Sequence, residues 1–178
     1  MWERKNFRDC ADELEQVSEI FRDAYLKRDT LQPYEREEAM KMASVNGRDL
    51  MDILALTIRR ELDDKTFELP NPKPIVGIIK SDKSVSKIEQ EQIIENYQRP
   101  IEGSNGYVSL DLRTALDKIA HARRNLTGFD VSENSHDVIL CGVRYEVPWI
   151  AVISIPDFCN AVRKLPDDID RPNAFGTS

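Results

Sequence analysis

The sequence predicts an α+β fold, in which an N-terminal helical bundle is followed by a helix, a small antiparallel sheet and a closing helix. Two observations carry this prediction. Apolar residues recur three and four positions apart over the first third of the chain, as in amphipathic helices. Near the other end, two β-branched and aromatic runs, DVILCGVRY and PWIAVISI, are separated by a short polar turn, which is typical of a β-hairpin.

Three helices are predicted in the first region. The first opens at Asn6, whose side chain can cap it, and the second begins at Pro33 and is closed by Gly47. The third, RDLMDILALTIRREL, is apolar on most sides, which indicates the buried central helix of a bundle. The predicted core of this unit consists of Phe7, Leu14, Val17, Phe21, Leu50, Leu54 and Ile58.

The chain divides into four predicted regions. Residues 1–69 form the helical region, and residues 70–83 form a proline-rich connector that contains one short strand, IVGII. Residues 84–165 form the α+β region, and residues 166–178 form a flexible tail.

Within the α+β region, local patterns predict each element in turn. Ser86 and Glu89 are spaced as a capping box at the start of one helix. Ser109 caps a second helix that runs to about Asn125. The remaining predicted elements are a strand at Phe129–Val131, a hairpin of Val138–Val143 with Trp149–Ile155, and a closing helix at Asp157–Leu165.

Composition and charge restrict the class of partner. Apolar residues make up 40% of the chain and charged residues 32%, as in a soluble globular protein. The N-terminus has no apolar signal region, and the longest apolar stretch, WIAVISI, is too short to span a membrane. Three widely separated cysteines suit a reducing compartment. We therefore expect a cytoplasmic protein that does not bind membranes.

The net charge of −7 argues against a nucleic-acid partner, because such binding depends on neutralising phosphates with basic residues. A protein is the expected partner. As an alternative, an acidic protein can mimic nucleic acid and inhibit a basic partner.

The decapeptide LDKIAHARRN raises the question of a catalytic histidine. Asp117 and His121 are four residues apart, so on a helix their side chains meet, and Arg124 lies on the same polar face. Such a face can hold a phosphate or take part in proton transfer. It is also the ordinary solvated face of an amphipathic helix, and we therefore predict no catalytic residues.

Other constellations predict neither a metal nor a cofactor. His136 and Cys141 are five residues apart and lack further clustered ligands, so a zinc site is not expected. On the hairpin, Trp149 and Tyr145 are candidates for a binding patch, although an aromatic residue there also packs a sheet on helices. Strand alternation assigns Trp149, Ala151, Ile153 and Ile155 to the core face.

Residues 109–165 resemble a segment of uncharacterised bacterial and prophage-borne proteins. The resemblance lies in SLDLRTALDKIAHARR and the hairpin ending in WIAVISI: in those proteins a helix similar to A-L-x-K-I-x-H-A precedes a Trp-containing hairpin. It implies a bacterial accessory or mobile-element protein, in phage defence or counter-defence.

KIAHARRN also resembles the catalytic helix of HEPN-domain ribonucleases, in which an arginine stands four to six residues before a histidine. Here Leu116 is five residues before His121, and the preceding arginine, Arg113, is eight residues away. The HEPN resemblance implies a metal-independent ribonuclease that uses His121, with Asp117 and Arg124. The alternative that we favour is a regulatory protein that binds without catalysis.

Overall fold

The computed structural model describes residues 6–27 and 32–166. Two helices are followed by a mixture of strands and helices, and the α+β class is confirmed. Of the predicted tail, residues 167–178 lie outside the described residues. The elements are α1 (Phe7–Leu26), α2 (Pro33–Asp63), β1 (Ile75–Ser81), α3 (Lys87–Glu95), β2 (Val108–Asp111), α4 (Leu112–His121), β3 (Thr127–Ser132), β4 (Ser135–Arg144), β5 (Val147–Ser154) and α5 (Ile155–Arg163).

The strands form one antiparallel sheet in the order β2-β1-β5-β4-β3. Strands β4 and β5 are the predicted hairpin, and β3 is the predicted third strand. The hairpin turn consists of Tyr145 and Glu146, with φ of 50° and 64°. Two consecutive positive φ angles are typical of a type I′ turn, whose twist matches that of the paired strands. Strand β1 comes from the proline-rich connector and lies next to β5, inside the sheet.

Helices α1, α2, α4 and α5 cover one face of the sheet. Leu54 and Ile58 of α2 are buried in the same cluster as Trp149, Ala151 and Ile153 of β5. The predicted core face of β5 is therefore confirmed, although Ile155 belongs to α5 rather than to the strand. Among the predicted helical core residues, Phe7, Leu14, Phe21 and Leu50 are also buried, and Val17 is partly buried.

The opposite face of the sheet is buried as well. Ile150 and Val152 form a second cluster, against which Ile93 and Ile94 of the α3 region pack. Gln90 of α3 donates hydrogen bonds from Nε2 to the carbonyl oxygens of Gly142 and Trp149, at 3.0 Å each. Strand alternation predicted one buried face of β5. The other face is buried too, because α3 packs against it.

Helix α2 is one 31-residue helix, and the prediction that Gly47 closes a shorter helix is wrong. Gly47 lies where α1 and α2 approach: a Cβ atom there would be 3.4 Å from Cγ1 of Val17. Such a distance is an ordinary van der Waals contact, and the helix continues through Gly47 because Ala43 and Leu50, on either side of it, are both buried.

The predicted bounds of α4 are also wrong. Ser109 lies in β2, a strand that the sequence did not predict, and pairs with Ile78 of β1. The residue that caps α4 is Asp111, which accepts a hydrogen bond from the Thr114 amide at 3.1 Å. The helix ends at His121, four residues before Asn125. Ser and Asp are both suitable N-cap residues, and because Ser109 is paired within β2, Asp111 is the cap.

Three other helices also begin at a side-chain cap. Asn6 and Ser86 cap α1 and α3 as predicted, accepting hydrogen bonds from the amides of Asp9 and Glu89. Helix α5 begins at Ile155, two residues before its predicted start, because Ser154 caps it and Pro156 is tolerated in a first turn.

The helical region and the α+β region share one core, since the cluster on the covered face draws residues from α1, α2, α4, α5 and the sheet. The division into four regions stays a prediction. Among the described residues, no helix is long and apolar enough to cross a membrane.

Candidate functional site

The site is built around Asp117, which projects from α4 where this helix meets α2 and the end of β4. Leu112, Leu116 and Ile119 anchor α4, because they are buried in the core between the sheet and the helices that cover its first face. Because these residues occupy one face of the helix, Asp117 and His121 are left at its other side, as their spacing predicted.

Three cationic side chains and one imidazole surround the Asp117 carboxylate. Arg144 forms an ion pair with Oδ1, and Nη2 of Arg59 lies 3.7 Å from the same oxygen. Nδ1 of His121 is 3.5 Å from Oδ1, and Nζ of Lys118 is 3.9 Å from Oδ2. Asp117 itself is largely shielded from solvent. We call these five residues the Asp117 cluster.

The cluster is a local excess of positive charge on an acidic protein. Arg59, Lys118 and Arg144 face one carboxylate, and the His121 ring lies beside them. The chain as a whole carries −7. An anionic group that approaches this surface meets donors held in place by Asp117, which is the arrangement that binds carboxylates and phosphates.

Lys118 connects the cluster to the interior. Its Nζ lies 5.0 Å from the ring centroid of Trp149, which is fully buried. Burial lowers the pKa of Lys118; the Asp117 carboxylate opposes this effect and the charge of Arg144 adds to it. The indole face stabilises the ammonium group, so a buried aromatic residue supports the cationic site from below.

Arg144 and Tyr145 form the outer part of the site. The Arg144 guanidinium lies 5.2 Å from the ring centroid of Tyr145, and hydrogen bonds to Asp117 and Tyr145 raise the pKa of Arg144. Tyr145 is 85% exposed at the tip of the hairpin turn. A large aromatic ring is thus displayed on a rigid two-residue turn beside an ordered arginine.

His121 is held by the backbone of its own helix. Its Nδ1 lies 2.8 Å from the carbonyl oxygen of Asp117. A carbonyl oxygen only accepts, so Nδ1 carries the proton and Nε2 is the nitrogen that accepts a proton in the neutral ring. The His121 side chain is 39% exposed and accessible to a ligand.

The structure brings together most of the residues that the sequence singled out, but not all. Asp117 and His121 are in contact, whereas Arg124 lies beyond the end of α4 and pairs with Asp52 at 3.8 Å. Trp149 is buried while Tyr145 is exposed, so these two do not form one surface patch. Both contact the cluster through its cations.

Sequence reasoning missed the two arginines of the cluster. Arg59 is 58 residues before Asp117, and Arg144 is 27 residues after it. Only the packing of α2 against α4, and the length of β4, bring the three together. The one sequence feature that indicates a role for Arg144 is weak: this residue directly precedes the turn of the predicted hairpin.

A second polar group lies in a cavity of about 440 Å³ between α1, α2 and β3. Here Ser18 Oγ and His136 Nδ1 are 2.7 Å apart, and both residues are buried. Burial, assisted by the charge of Arg22, lowers the pKa of His136 to about 4. His136 is therefore neutral at pH 7 and a weak base, which suits a structural hydrogen bond better than proton transfer.

Metal-ligating side chains do not cluster in the part of the chain that the structure describes: no three His, Cys, Asp or Glu residues are placed to hold an ion. His136 and Cys141 are an odd number of positions apart on β4, so they lie on opposite faces of the sheet.

Comparison with known protein families, with curated proteins and with solved structures gives no match to this chain.

Proposed function

We propose that this protein is a binding protein without catalytic activity, and that it recognises an acidic segment of another protein through the Asp117 cluster and Tyr145. One observation carries the proposal: Arg144 and Tyr145 stand side by side at the hairpin tip, with the arginine ordered by Asp117 and the ring exposed.

The residue types support a protein interface. Tyrosine and arginine dominate the binding energy of protein interfaces, because each offers a large contact area together with directional donors. A guanidinium accepts a carboxylate in a bidentate manner, and Arg59 and His121 provide further donors beside it. Because Asp117 holds Arg144 in place, little side-chain entropy is lost when a partner binds.

The cytoplasmic location stays a prediction, as does the resemblance to prophage-borne proteins. That resemblance makes the phage-defence and counter-defence proteins of bacteria the first place to search for a partner.

A labelled, glutamate-rich peptide tests the proposal by fluorescence anisotropy at low salt. We expect Tyr145→Asn to weaken binding by about tenfold or more, as for a residue that dominates an interface. Asparagine tolerates the positive φ of this turn position, so the backbone is preserved.

Lys87→Ala is the matched control, because Lys87 is an exposed cation on α3, at the opposite side of the sheet. Equal losses in the two variants would mean that the peptide does not distinguish the hairpin tip from an unrelated exposed surface, and would contradict the proposal. A peptide that binds the wild type no better than a lysine-rich peptide would contradict it too.

A second function is favoured by the contacts of Asp117: a metal-independent ribonuclease. Asp117 gathers His121 and Arg144, an imidazole and a guanidinium, at one accessible point. Arg144 supplies the arginine that the HEPN pattern lacks before His121, and the free Nε2 is available for proton transfer. Wild type and His121→Ala are incubated with total RNA in the presence of a chelator. Cleavage by the wild type alone, leaving 2′,3′-cyclic phosphate ends, supports this function and overturns binding without catalysis.

The mimicry hypothesis requires an acidic contact surface, whereas the Asp117 cluster is cationic. It stays a prediction. The same peptide experiment distinguishes it from the proposed function, because a mimic of nucleic acid binds the lysine-rich peptide more tightly than the glutamate-rich one.

A further inference from the structure

Helix α2 carries a second apolar face, which points away from the core. Met42, Val45, Ile53 and Leu56 are 49% to 62% exposed. At 3.6 residues per turn they fall within an arc of about 80°. The buried residues of α2, such as Leu54 and Ile58, lie on the other side of the helix. Four large apolar side chains on one exposed arc form a stripe, interrupted at its centre by Asp49, and exposed apolar patches of this kind mark interaction surfaces.

The stripe is symmetrical about Asp49, which is exposed at its centre. Val45 and Ile53 are each four residues from Asp49, and Met42 and Leu56 are each seven residues from it. The symmetry extends to charge in the next exposed pair. Glu38 and Arg60 are each eleven residues from Asp49 and carry opposite charges.

We propose that two copies of this chain form a homodimer through their α2 helices, packed antiparallel about a two-fold axis at Asp49. In that arrangement Val45 of one copy meets Ile53 of the other, and Met42 meets Leu56. A two-fold interface places the same surface of both copies in contact, and this stripe is complementary to itself only in the antiparallel direction.

Charge complementarity favours antiparallel over parallel packing of the two α2 helices, and favours a second copy of this chain as the partner. Antiparallel packing places each Glu38 opposite an Arg60, giving two ion pairs at the ends of the stripe, about 33 Å apart at 1.5 Å per residue. Parallel packing would place Glu38 against Glu38 and Arg60 against Arg60. Within one chain, Arg60 pairs with Asp64 at 3.8 Å, but both side chains are mostly exposed, so this contact yields readily to a stronger one.

The dimer is weak at neutral pH, for two reasons. One helix from each copy makes a small contact compared with a standard interface of roughly 1,200–2,000 Å². In addition, the two Asp49 carboxylates approach each other at the axis, and like charges across an interface oppose association. Removal of this charge therefore strengthens the dimer.

Sedimentation velocity over a wide range of protein concentration measures the association. The wild type is expected to shift from monomer to dimer as concentration rises, and Asp49→Asn to associate about tenfold more tightly or better. Leu56→Glu abolishes the shift, whereas Ile88→Glu leaves it unchanged, because Ile88 is equally exposed but lies on α3. If wild type and Asp49→Asn both remain monomeric at the highest concentration, the proposal is overturned.

A charge exchange in the Asp49→Asn background tests the direction of packing. Glu38→Arg alone and Arg60→Glu alone each place like charges together and weaken the dimer, and the double variant restores it. If the double variant is as weak as the two single variants, antiparallel packing is excluded. Thermal unfolding of every variant confirms that the fold is kept, since all the substituted residues are exposed.

Discussion

The Asp117 cluster is built on α2, α4 and the β4–β5 hairpin, which also contribute to the interior of the protein, and the two regions use different sides of these elements. Helix α2 turns Leu54 inward and brings Arg59 to Asp117. The hairpin buries Trp149 and exposes Tyr145 four residues earlier. The inner sides are apolar and close-packed, so substitutions there act on stability. The outer sides carry the charged side chains, and under the proposed function substitutions there act on binding. One rigid layer of helices and strands thus supports both.

The largest effect is expected from the interior, and two leucines of α2 differ in their burial. Leu54 is almost completely buried and Leu56 is mostly exposed, two positions apart on one helix. Leu54→Ala should lower the free energy of unfolding by about 2–5 kcal/mol, the cost of a cavity in a packed core. Leu56→Ala should change it by less than about 0.5 kcal/mol. Urea unfolding at low protein concentration measures both, and similar losses for the two leucines would contradict the assignment of Leu54 to the core and Leu56 to the surface.

An intermediate effect is expected from acid, through His136. Its pKa is about 4 in the folded chain and 6.5 when solvated, so between these values the unfolded chain binds more protons. The contribution of neutral His136 to stability is complete above the higher value and is lost as pH falls toward the lower one. The loss amounts to about 3 kcal/mol. His136→Gln removes this part of the pH dependence and keeps a hydrogen-bonding group near Ser18.

The measurement is the free energy of unfolding at neutral pH and near pH 4, for wild type and for His136→Gln. The wild type should lose more between the two conditions than the variant does. An identical loss in both proteins would show that the buried histidine titrates like a solvated one. The carboxyl groups of the chain contribute equally to the two proteins, so their effect cancels when the loss of the variant is subtracted from that of the wild type.

The smallest effect on stability is expected at the surface. His121→Ala should change the free energy of unfolding by less than about 0.5 kcal/mol, because the ring is partly exposed and bonded only within its own helix. Chemical denaturation monitored by circular dichroism measures it. A loss as large as that of Leu54→Ala would place His121 among the residues that hold the fold together.

Local patterns predicted those parts of the fold that depend on local interactions. The caps at Asn6 and Ser86, the hairpin of β4 and β5, and the core face at Trp149 all follow from short-range rules. Strand β2 and the continuous helix α2 were missed because partners distant in sequence decide them. Val108–Asp111 becomes a strand by pairing with β1, and Gly47 stays helical because α1 packs on it.

The candidate site divides in the same way. The contact between Asp117 and His121 could be predicted because the two are one helical turn apart. Arg59 and Arg144 could not be predicted, because no spacing rule connects residues on α2, α4 and β4. The exposure of Tyr145 depends on the register of the turn, which the sequence restricts to a few residues without fixing it.

The order of strands in the sheet bears on aggregation. The edge strands are β2, with only four residues, and β3, which exposes Asp130; short edges and charged edge residues discourage pairing with another molecule. The long apolar strands β4 and β5 are hydrogen-bonded to a neighbour on each side. During refolding, however, the segments that form β4 and β5 are the β-prone stretches of the chain, and they are vulnerable until β1 and β3 have paired with them. Concentrated, partly unfolded chains are therefore more at risk of forming fibrils than native ones.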